Sequence, residues 1–263
     1  MHSRTLVTSA ALAACVLAAP AAPEQANDPK AKALADRVMA ALGGTDAWNK
    51  TRFLRFDFAV DREGKTVVRR SHVWDKWTGR YRLEATTREG APYVVLMNIN
   101  ERDGRAFIKG SEVSGEEGKK LVDQGYSIWV NDTYWLLMPY KLQDPGVNLT
   151  YEGTEQVEGN TYDKLHLSFG NVGLTPGDEY WAWINRDTHL MDRWAYLLQA
   201  QPDQPRATEP TAWRWQGWQK YGKILLAPTR AMVGGDRKLE LGDIAVFDTL
   251  PDTVFTSPDP VAQ

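Results

Sequence analysis

Few side chains in this chain belong to the types that carry out acid–base chemistry. Three histidines, His72, His166 and His189, follow the leader segment described below. His166 stands between two leucines on an alternating stretch, so its ring points away from them. A histidine in that position is more often exposed or hydrogen-bonded than catalytic.

One hairpin turn offers oxygen and nitrogen ligands at close spacing. Asp187, His189 and Asp192 lie within six residues of one another, and such side chains could hold a divalent ion. Turns also attract aspartate for backbone reasons. We therefore favour an ordinary hairpin and predict neither a metal site nor a cofactor.

The motifs that mark common catalytic sites are missing from the sequence. It contains no Gly-x-Ser-x-Gly elbow, no glycine-rich phosphate loop and no His-Glu-x-x-His pattern. Asp178 and Glu179 are neighbours, so on a strand they point to opposite faces and cannot act as a pair. The sequence thus predicts a protein that is not an enzyme. An envelope hydrolase, whose carboxylates meet only on folding, remains an alternative.

Large aromatic side chains are the strongest functional signal. The chain has 11 tryptophans, and Trp-Ala-Trp at 181–183 and Trp-Arg-Trp at 213–215 place pairs of them on one face of a strand. Each tryptophan alone is most simply a core residue or part of an aromatic belt at a membrane surface. Together they indicate a hydrophobic cavity between a sheet and a helix. The predicted lining residues are Phe56, Phe58, Trp129, Trp135, Trp181, Trp183, Trp213 and Trp215.

Short strands in antiparallel order must position these aromatics. Alternation is clear over residues 54–60, whose even-numbered members are all apolar. Further strands, with turn signals between them, follow as far as residue 247, and they include those predicted at residues 80–86, 179–185, 211–220 and 238–247. A helix is predicted over 29–42, capped by Asp28 and ended by two glycines. It should lie along the sheet, because its apolar residues share one face.

A second helix interrupts the strands at residues 114–139. Ser114 and Glu117 fit a capping box, apolar residues then recur at three- and four-residue steps, and Pro139 ends the pattern. This helix, together with the polar loop at residues 200–210, would control entry to a cavity.

The first 22 residues are typical of a secretory signal, with a short basic start and an apolar run too short to span a bilayer. The only cysteine, Cys15, ends a Leu-Ala-Ala-Cys match to the lipobox of bacterial lipoproteins. In that motif the thiol takes a lipid before cleavage. Small residues at 19–22 also suit an ordinary signal peptidase. Both locations therefore stay open: anchored at the outer membrane through Cys15, or free in the periplasm.

The composition fits one large domain over residues 23–263. With one cysteine, the chain cannot form an internal disulfide, so folding must rely on a hydrophobic core. The formal net charge is −3 and no basic stripe is present, which argues against nucleic acid as a partner.

Two passages resemble those of an uncharacterised exported bacterial family related to the Lol-type lipoprotein carriers and sorting proteins. They are SIWVNDTYWLLMPYK at 127–141 and TPGDEYWAWIN at 175–185. The resemblance implies a mainly β fold, an unclosed antiparallel half-barrel of about eleven strands. An N-terminal helix and a mid-chain helix would cover its concave face around a hydrophobic cavity.

These observations predict a non-enzymatic protein of the bacterial cell envelope that binds a hydrophobic ligand in the half-barrel. The expected partners are a lipid or hydrophobic small molecule, lipoproteins, or an outer-membrane protein. Membrane contact is expected only through a lipid anchor. A structural module that docks on another envelope protein through an aromatic patch is a further alternative.

Overall fold

The computed structural model describes residues 28–260. Fifteen strands account for most of the regular structure. They are β1 (Phe53–Arg62), β2 (Lys65–Asp75), β3 (Arg80–Thr86), β4 (Pro92–Asn98), β5 (Asp103–Ile108), β6 (Ser111–Val113), β7 (Val147–Val157), β8 (Asn160–Phe169), β9 (Glu179–Asn185), β10 (Met191–Leu197), β11 (Thr211–Gln216), β12 (Gln219–Tyr221), β13 (Ile224–Leu226), β14 (Thr229–Met232) and β15 (Lys238–Phe247).

Thirteen of these strands form one sheet that does not close. Its order is β6-β5-β4-β3-β2-β1-β15-β14-β11-β10-β9-β8-β7, and adjacent strands such as β1 and β15, or β9 and β10, pair antiparallel. The central β1–β15 pair joins the first and last strands, and within each half of the sheet the strands follow chain order, interrupted between β11 and β14 by the separate β12–β13 pair. The predicted fold class, an unclosed antiparallel half-barrel with helices, is confirmed.

The structure has fifteen strands where roughly eleven were expected, and local backbone chemistry explains part of the difference. Gly217 adopts φ +79° and separates β11 from β12, where one continuous strand was predicted. Pro228 stands between β13 and β14 and has no N–H to donate to a ladder. The pieces β12 and β13 therefore pair only with each other, as a two-stranded ribbon.

The N-terminal helix forms as expected. It is α1 (Pro29–Ala41), and the Asp28 carboxylate accepts a hydrogen bond from the backbone N–H of Lys30 at 2.8 Å. Gly43 then adopts φ +117°, and a Cβ there would meet the carbonyl oxygen of Lys223 at 2.6 Å. A short helix that was not predicted, α2 (Gly44–Lys50), follows before the first strand.

The mid-chain helix is α3 (Gly115–Leu137), continued by a 3₁₀ turn (Met138–Lys141) that contains Pro139. The predicted capping box is wrong: Ser114 precedes the helix, but its side chain makes no capping hydrogen bond. Gly115, with φ +67°, turns the chain so that the serine cannot reach. Gly125 allows close approach to the sheet, because a Cβ there would lie 3.1 Å from the Val95 side chain.

Both long helices pack on one face of the sheet, called the inner face below. One cluster of buried apolar side chains joins α1, the end of α3 and strands from both halves of the sheet, including Leu34, Val38, Leu54, Leu136, Leu165 and Leu239. A second cluster lies under the first half of α3 and includes Tyr81, Val95, Val122 and Ile128. The protein's own side chains thus fill much of the inner face.

On the opposite, outer face, the C-terminal segment covers part of the sheet. Helix α4 (Thr253–Thr256) packs Phe255 against Phe53 and Val73. The buried Arg82 holds this segment in place, because its guanidinium donates to three backbone carbonyl oxygens, those of Val254 (3.2 Å), Ser257 (2.6 Å) and Asp259 (2.6 Å).

Candidate functional site

A cavity of about 360 Å³ lies between the second half of α3, strands β9 and β10, and the segment after β8. Its inner wall is aromatic: Tyr134, Trp135, Phe169, Tyr180, Trp194 and Tyr196. Around its mouth stand Ser127 and Asn131 of α3 and, opposite them, Val172, Leu174, Thr175 and Leu198. The volume falls at the lower end of the range found for small-molecule sites.

The two-residue period of β9 and β10 brings the aromatic wall together. Trp194 pairs with Ala182, and Tyr196 pairs with Tyr180, so these four side chains lie on the inner face. Helix α3 adds two rings from above. The Trp135 ring meets Trp194 edge-on at 4.7 Å between centroids, and Tyr134 meets Tyr180 in the same manner at 5.3 Å.

The face assigned to Trp181 and Trp183 needs correction. Both alternate with Tyr180 and Ala182, so they lie on the outer face and not in the cavity. Their indole N–H groups donate to Glu152 (3.3 Å) and Glu155 (2.9 Å). The Trp-x-Trp pattern correctly placed the two rings on one face, but parity alone cannot say which face carries the helices.

The other predicted lining residues occupy three places. Trp135 lies at the cavity. Trp129 packs edge-on against Trp74, at 5.4 Å, beside the second core cluster. The remaining four, on β1 and β11, are buried in the larger core cluster: Phe56, Phe58, Trp213 and Trp215. Cys15, the predicted lipidation site, lies outside the described residues.

Sequence reasoning missed most of the aromatic wall, although a signal for it existed. Trp194 and Tyr196 alternate on one strand, and Tyr180 opens the preceding strand. What was missing was the register that sets Tyr196 against Tyr180 and Trp194 against Trp213.

The cavity wall carries little charge. Asp178 is the one charged residue among those that line the cavity. Its carboxylate accepts hydrogen bonds from the Thr175 hydroxyl (2.6 Å) and from the backbone N–H of Gln199 (2.7 Å). Burial raises the pKa of Tyr134 and of Tyr180, and the nearby Asp178 raises both further. Both phenols therefore stay uncharged at neutral pH.

The loop at residues 200–210 does not cover this cavity. Arg206 forms an ion pair with Glu179, which is two residues before Trp181 on β9 and so shares its outer face. The Glu179 carboxylate also contacts His166 Nε2 at 2.8 Å. The segment that stands over the cavity is instead the one at residues 170–178.

Arg230 connects the end of α3 to the sheet. Its side chain is fully buried and lies over the Trp215 ring, 3.3 Å from the centroid. The guanidinium donates to the carbonyl oxygens of Trp135 (2.7 Å), Ala227 (2.7 Å) and Thr229 (3.0 Å). Burial holds the pKa of this guanidinium well below its usual value, with Glu240 opposing the shift.

The hydrogen bond from Arg230 to the Trp135 carbonyl replaces a helical hydrogen bond that a proline prevents. A helical carbonyl normally accepts from the N–H four residues later, and the residue four positions after Trp135 is Pro139, which has no N–H. Arg230 supplies the missing donor. A wall residue of the cavity is thereby held to β14 through its own backbone.

A second connection holds the middle of α3 to β2. Asp132 is buried, and its Oδ1 accepts hydrogen bonds from Arg70 Nη2 (2.9 Å) and Asn131 Nδ2 (2.8 Å). Its Oδ2 lies 2.8 Å from Arg70 Nε and 3.1 Å from His72 Nε2, although neither contact has the alignment of a hydrogen bond. The contact of Oδ2 with Arg70 is an ion pair.

His72 extends this connection into the sheet. It is fully buried, its Nδ1 lies 2.7 Å from the Tyr81 hydroxyl, and its ring stacks on Phe56 at 4.4 Å. The Asp132–His72–Tyr81 order resembles a proton relay, but no member is exposed to solvent. Its role in this structure is to join helix and sheet.

A second hollow, of about 440 Å³, lies beside α1, α2 and the 3₁₀ turn. Trp48 and Tyr140 stack at 4.5 Å in its wall, but Asp36, Gln143 and Asp144 also line it. This polar groove is a weaker candidate for an apolar ligand than the aromatic cavity.

Two chemical features bear on the alternatives raised from the sequence. Within residues 28–260, no group of three or more His, Cys, Asp or Glu side chains could hold a metal ion. In the same part of the chain, no helix is both long and apolar enough to cross a membrane.

No family model and no curated protein matches this chain. Several solved structures are similar to it. A LolA superfamily protein from Nitrosomonas europaea shares 10% identity over 86% of this chain and 97% of that chain, with a TM-score of 0.49. A DUF1329 family protein from Desulfovibrio piger shares 14% over 86% and 96%, with a TM-score of 0.46. A putative outer membrane lipoprotein-sorting protein domain from Vibrio parahaemolyticus shares 8% over 86% and 96%, with a TM-score of 0.44. At these identities and TM-scores the likeness concerns the fold alone.

Proposed function

We propose that this is a non-enzymatic protein of the bacterial cell envelope that binds a hydrophobic ligand in the cavity beside α3. The ligand is a lipid or the acyl chain of a lipoprotein. The observation that carries the proposal is the aromatic wall around a hollow of about 360 Å³. Its single charged residue, Asp178, already has hydrogen-bond donors from the protein.

Apolar burial by itself supplies the affinity that such a site needs. Each methylene group moved from water into an apolar site contributes about 0.8 kcal/mol. The wall residues come from a sheet and a long helix, so the hollow is present without a ligand. A polar recognition group is not required for an acyl chain.

The hydrolase alternative is less well supported by this site. Glycoside hydrolysis or a related reaction needs two carboxylates that face the same space. The cavity contributes one, Asp178, and both of its oxygens accept hydrogen bonds from the protein. Lipid binding, by contrast, requires no second carboxylate in the cavity.

Filling the cavity from α3 should weaken ligand binding. Ser127 is exposed on α3 at the cavity mouth, so Ser127→Trp would place an indole where an acyl chain enters. If the indole displaces two or three methylenes at about 0.8 kcal/mol each, affinity falls by about ten- to fiftyfold. The measurement is titration of the purified protein with a dansyl-labelled fatty acid, together with native mass spectrometry for lipid that co-purifies.

Gln124→Trp is the matched control. Gln124 is exposed on the same helix, three residues earlier, and does not line the cavity. The affinity of this variant for the dansyl-labelled fatty acid should stay within about twofold of that of the parent, since the added ring meets solvent. Equal losses in both variants would show that the fatty acid does not occupy this cavity. A parent protein that neither carries lipid nor binds the probe would refute the proposed function.

We also propose that the protein is located in the periplasm or anchored at the outer membrane. The support is the signal-like start and the Leu-Ala-Ala-Cys motif at 12–15. Cys15→Ala should abolish incorporation of radiolabelled palmitate and move the protein from the membrane fraction to the soluble periplasmic fraction. If the parent protein incorporates no palmitate, the proposed lipid anchor is refuted and the proposed periplasmic location is unaffected.

A further inference from the structure

The mouth of the cavity carries an unusual share of exposed apolar surface. Within residues 28–260, five large hydrophobic side chains are well exposed, and three of them stand at this mouth: Val172, Leu174 and Leu198, at 37%, 46% and 51% exposure. Val172 is held against Gly146, where a Cβ would lie only 2.5 Å from its side chain. Exposed apolar side chains that cluster in this way mark an interaction surface.

The two segments that carry these side chains are free of charge. Residues 169–177 and residues 195–202 contain no Asp, Glu, Lys or Arg, in a chain that is 25% charged. They are bonded to each other, since the backbone N–H of Gly177 donates to the Gln199 side chain at 2.9 Å and that of Gln199 donates to Asp178 at 2.7 Å. They form one continuous surface, named here the apolar rim.

We propose that the apolar rim docks on the surface of a lipid bilayer. Its protruding side chains are aliphatic, and a leucine can enter the boundary between headgroups and acyl chains. A charged side chain would resist that environment, and the rim has none. Contacts with a protein would instead favour Tyr, Trp and Arg anchors with a polar border. The rim also forms one side of the cavity mouth, opposite Ser127 and Asn131 of α3, so an acyl chain could pass from the bilayer into the cavity beside it.

Docking of this kind goes beyond the proposed function, because it requires no ligand in the cavity. It also differs from binding by basic residues. Since the rim carries no cation, attachment should be equal on neutral and anionic vesicles and insensitive to salt.

Sedimentation with phosphatidylcholine vesicles at about millimolar lipid tests the proposal, using residues 23–263, which lack Cys15, so that no anchor contributes. The double variant Leu174→Asn, Leu198→Asn should lower the partition coefficient at least about tenfold, because it removes two insertable side chains without adding charge. Val67→Asn is the matched control, since Val67 is 58% exposed but lies on β2 away from the rim. It should change partition by less than about twofold.

Binding of the dansyl-labelled fatty acid separates this proposal from the proposed function. A parent that sediments with vesicles but does not bind the probe would leave rim docking in place and refute the proposed function. Equal partition of the parent and the double variant would overturn rim docking, whatever the cavity binds. So would attachment that appears only on phosphatidylglycerol vesicles and disappears with salt, or a parent that does not sediment with any vesicle.

Discussion

Replacing Asp132 by alanine is expected to lower the free energy of unfolding by about 3–5 kcal/mol. The substitution leaves Arg70, and the fully buried His72, without the carboxylate that both contact. A buried charge that loses its partner keeps its desolvation penalty without the compensating attraction. The measurement is urea unfolding followed by tryptophan fluorescence, with the slope of the transition checked for two-state behaviour.

The same helix provides a control for this prediction. Asp123 is exposed on α3, so Asp123→Ala should change stability by no more than about 0.5 kcal/mol. A paired replacement, Arg70→Met with Asp132→Leu, should recover most of the loss, since it removes both charges together. If the alanine variant fails to fold, the prediction is tested by whether the paired variant, which has neither charge, folds. An Asp132→Ala protein within about 1 kcal/mol of the parent would contradict the ionic connection.

Replacing Arg230 by alanine is expected to lower the free energy of unfolding by about 3 kcal/mol or more. The change removes the donor to the Trp135 carbonyl, which has no helical alternative because of Pro139. It also leaves a void under the Trp215 ring. The loss is offset in part by removal of a buried cation, whose lowered pKa shows that burial disfavours its charge.

Two further variants make this second prediction specific. Arg230→Lys keeps the charge but loses the planar guanidinium that donates to several carbonyls at once. Its free energy of unfolding should therefore lie between that of the parent and that of the alanine variant. Arg206→Ala removes a partly exposed arginine from its pair with Glu179 and should change stability by less than about 1 kcal/mol. Equal effects of Arg230→Ala and Arg206→Ala on the urea midpoint would show that the buried arginine does not hold α3.

Both residues bear on the cavity because both attach α3, which supplies one of its walls. Asp132 holds the middle of the helix to β2, and Arg230 holds its end to β14. Of the two aromatic wall residues that α3 contributes, Tyr134 lies between these attachments and Trp135 accepts the hydrogen bond from Arg230. The shape of the hollow therefore depends on polar contacts that do not touch a ligand.

Local patterns were sufficient to predict most elements. The cap at Asp28, the paired glycines after α1, and the alternation along β1 are decided by neighbours in the chain, and the structure has them where expected. The ends of β3, β9 and β15 also agree with the prediction. Errors arose where a glycine conformation mattered, as at Gly115 beside the supposed capping box and at Gly217 within a predicted strand.

The candidate site was predicted less well, for a physical reason. Alternation shows which side chains share a face, but the two faces of a strand become different only when something packs on one of them. Trp181 and Trp183 share the outer face because α3 lies on the side of Tyr180 and Ala182. Phe56 and Trp215 do lie on the inner face, but other core side chains cover them.

Short-range periodicity and residue type are enough to predict the antiparallel strands, the two long helices and the wealth of aromatic side chains. They do not predict which aromatics surround the cavity, that Asp132 contacts His72, or that Arg230 donates to the carbonyl four residues before a proline. Those outcomes depend on strand register and on helix placement, which arise from contacts between residues far apart in the chain.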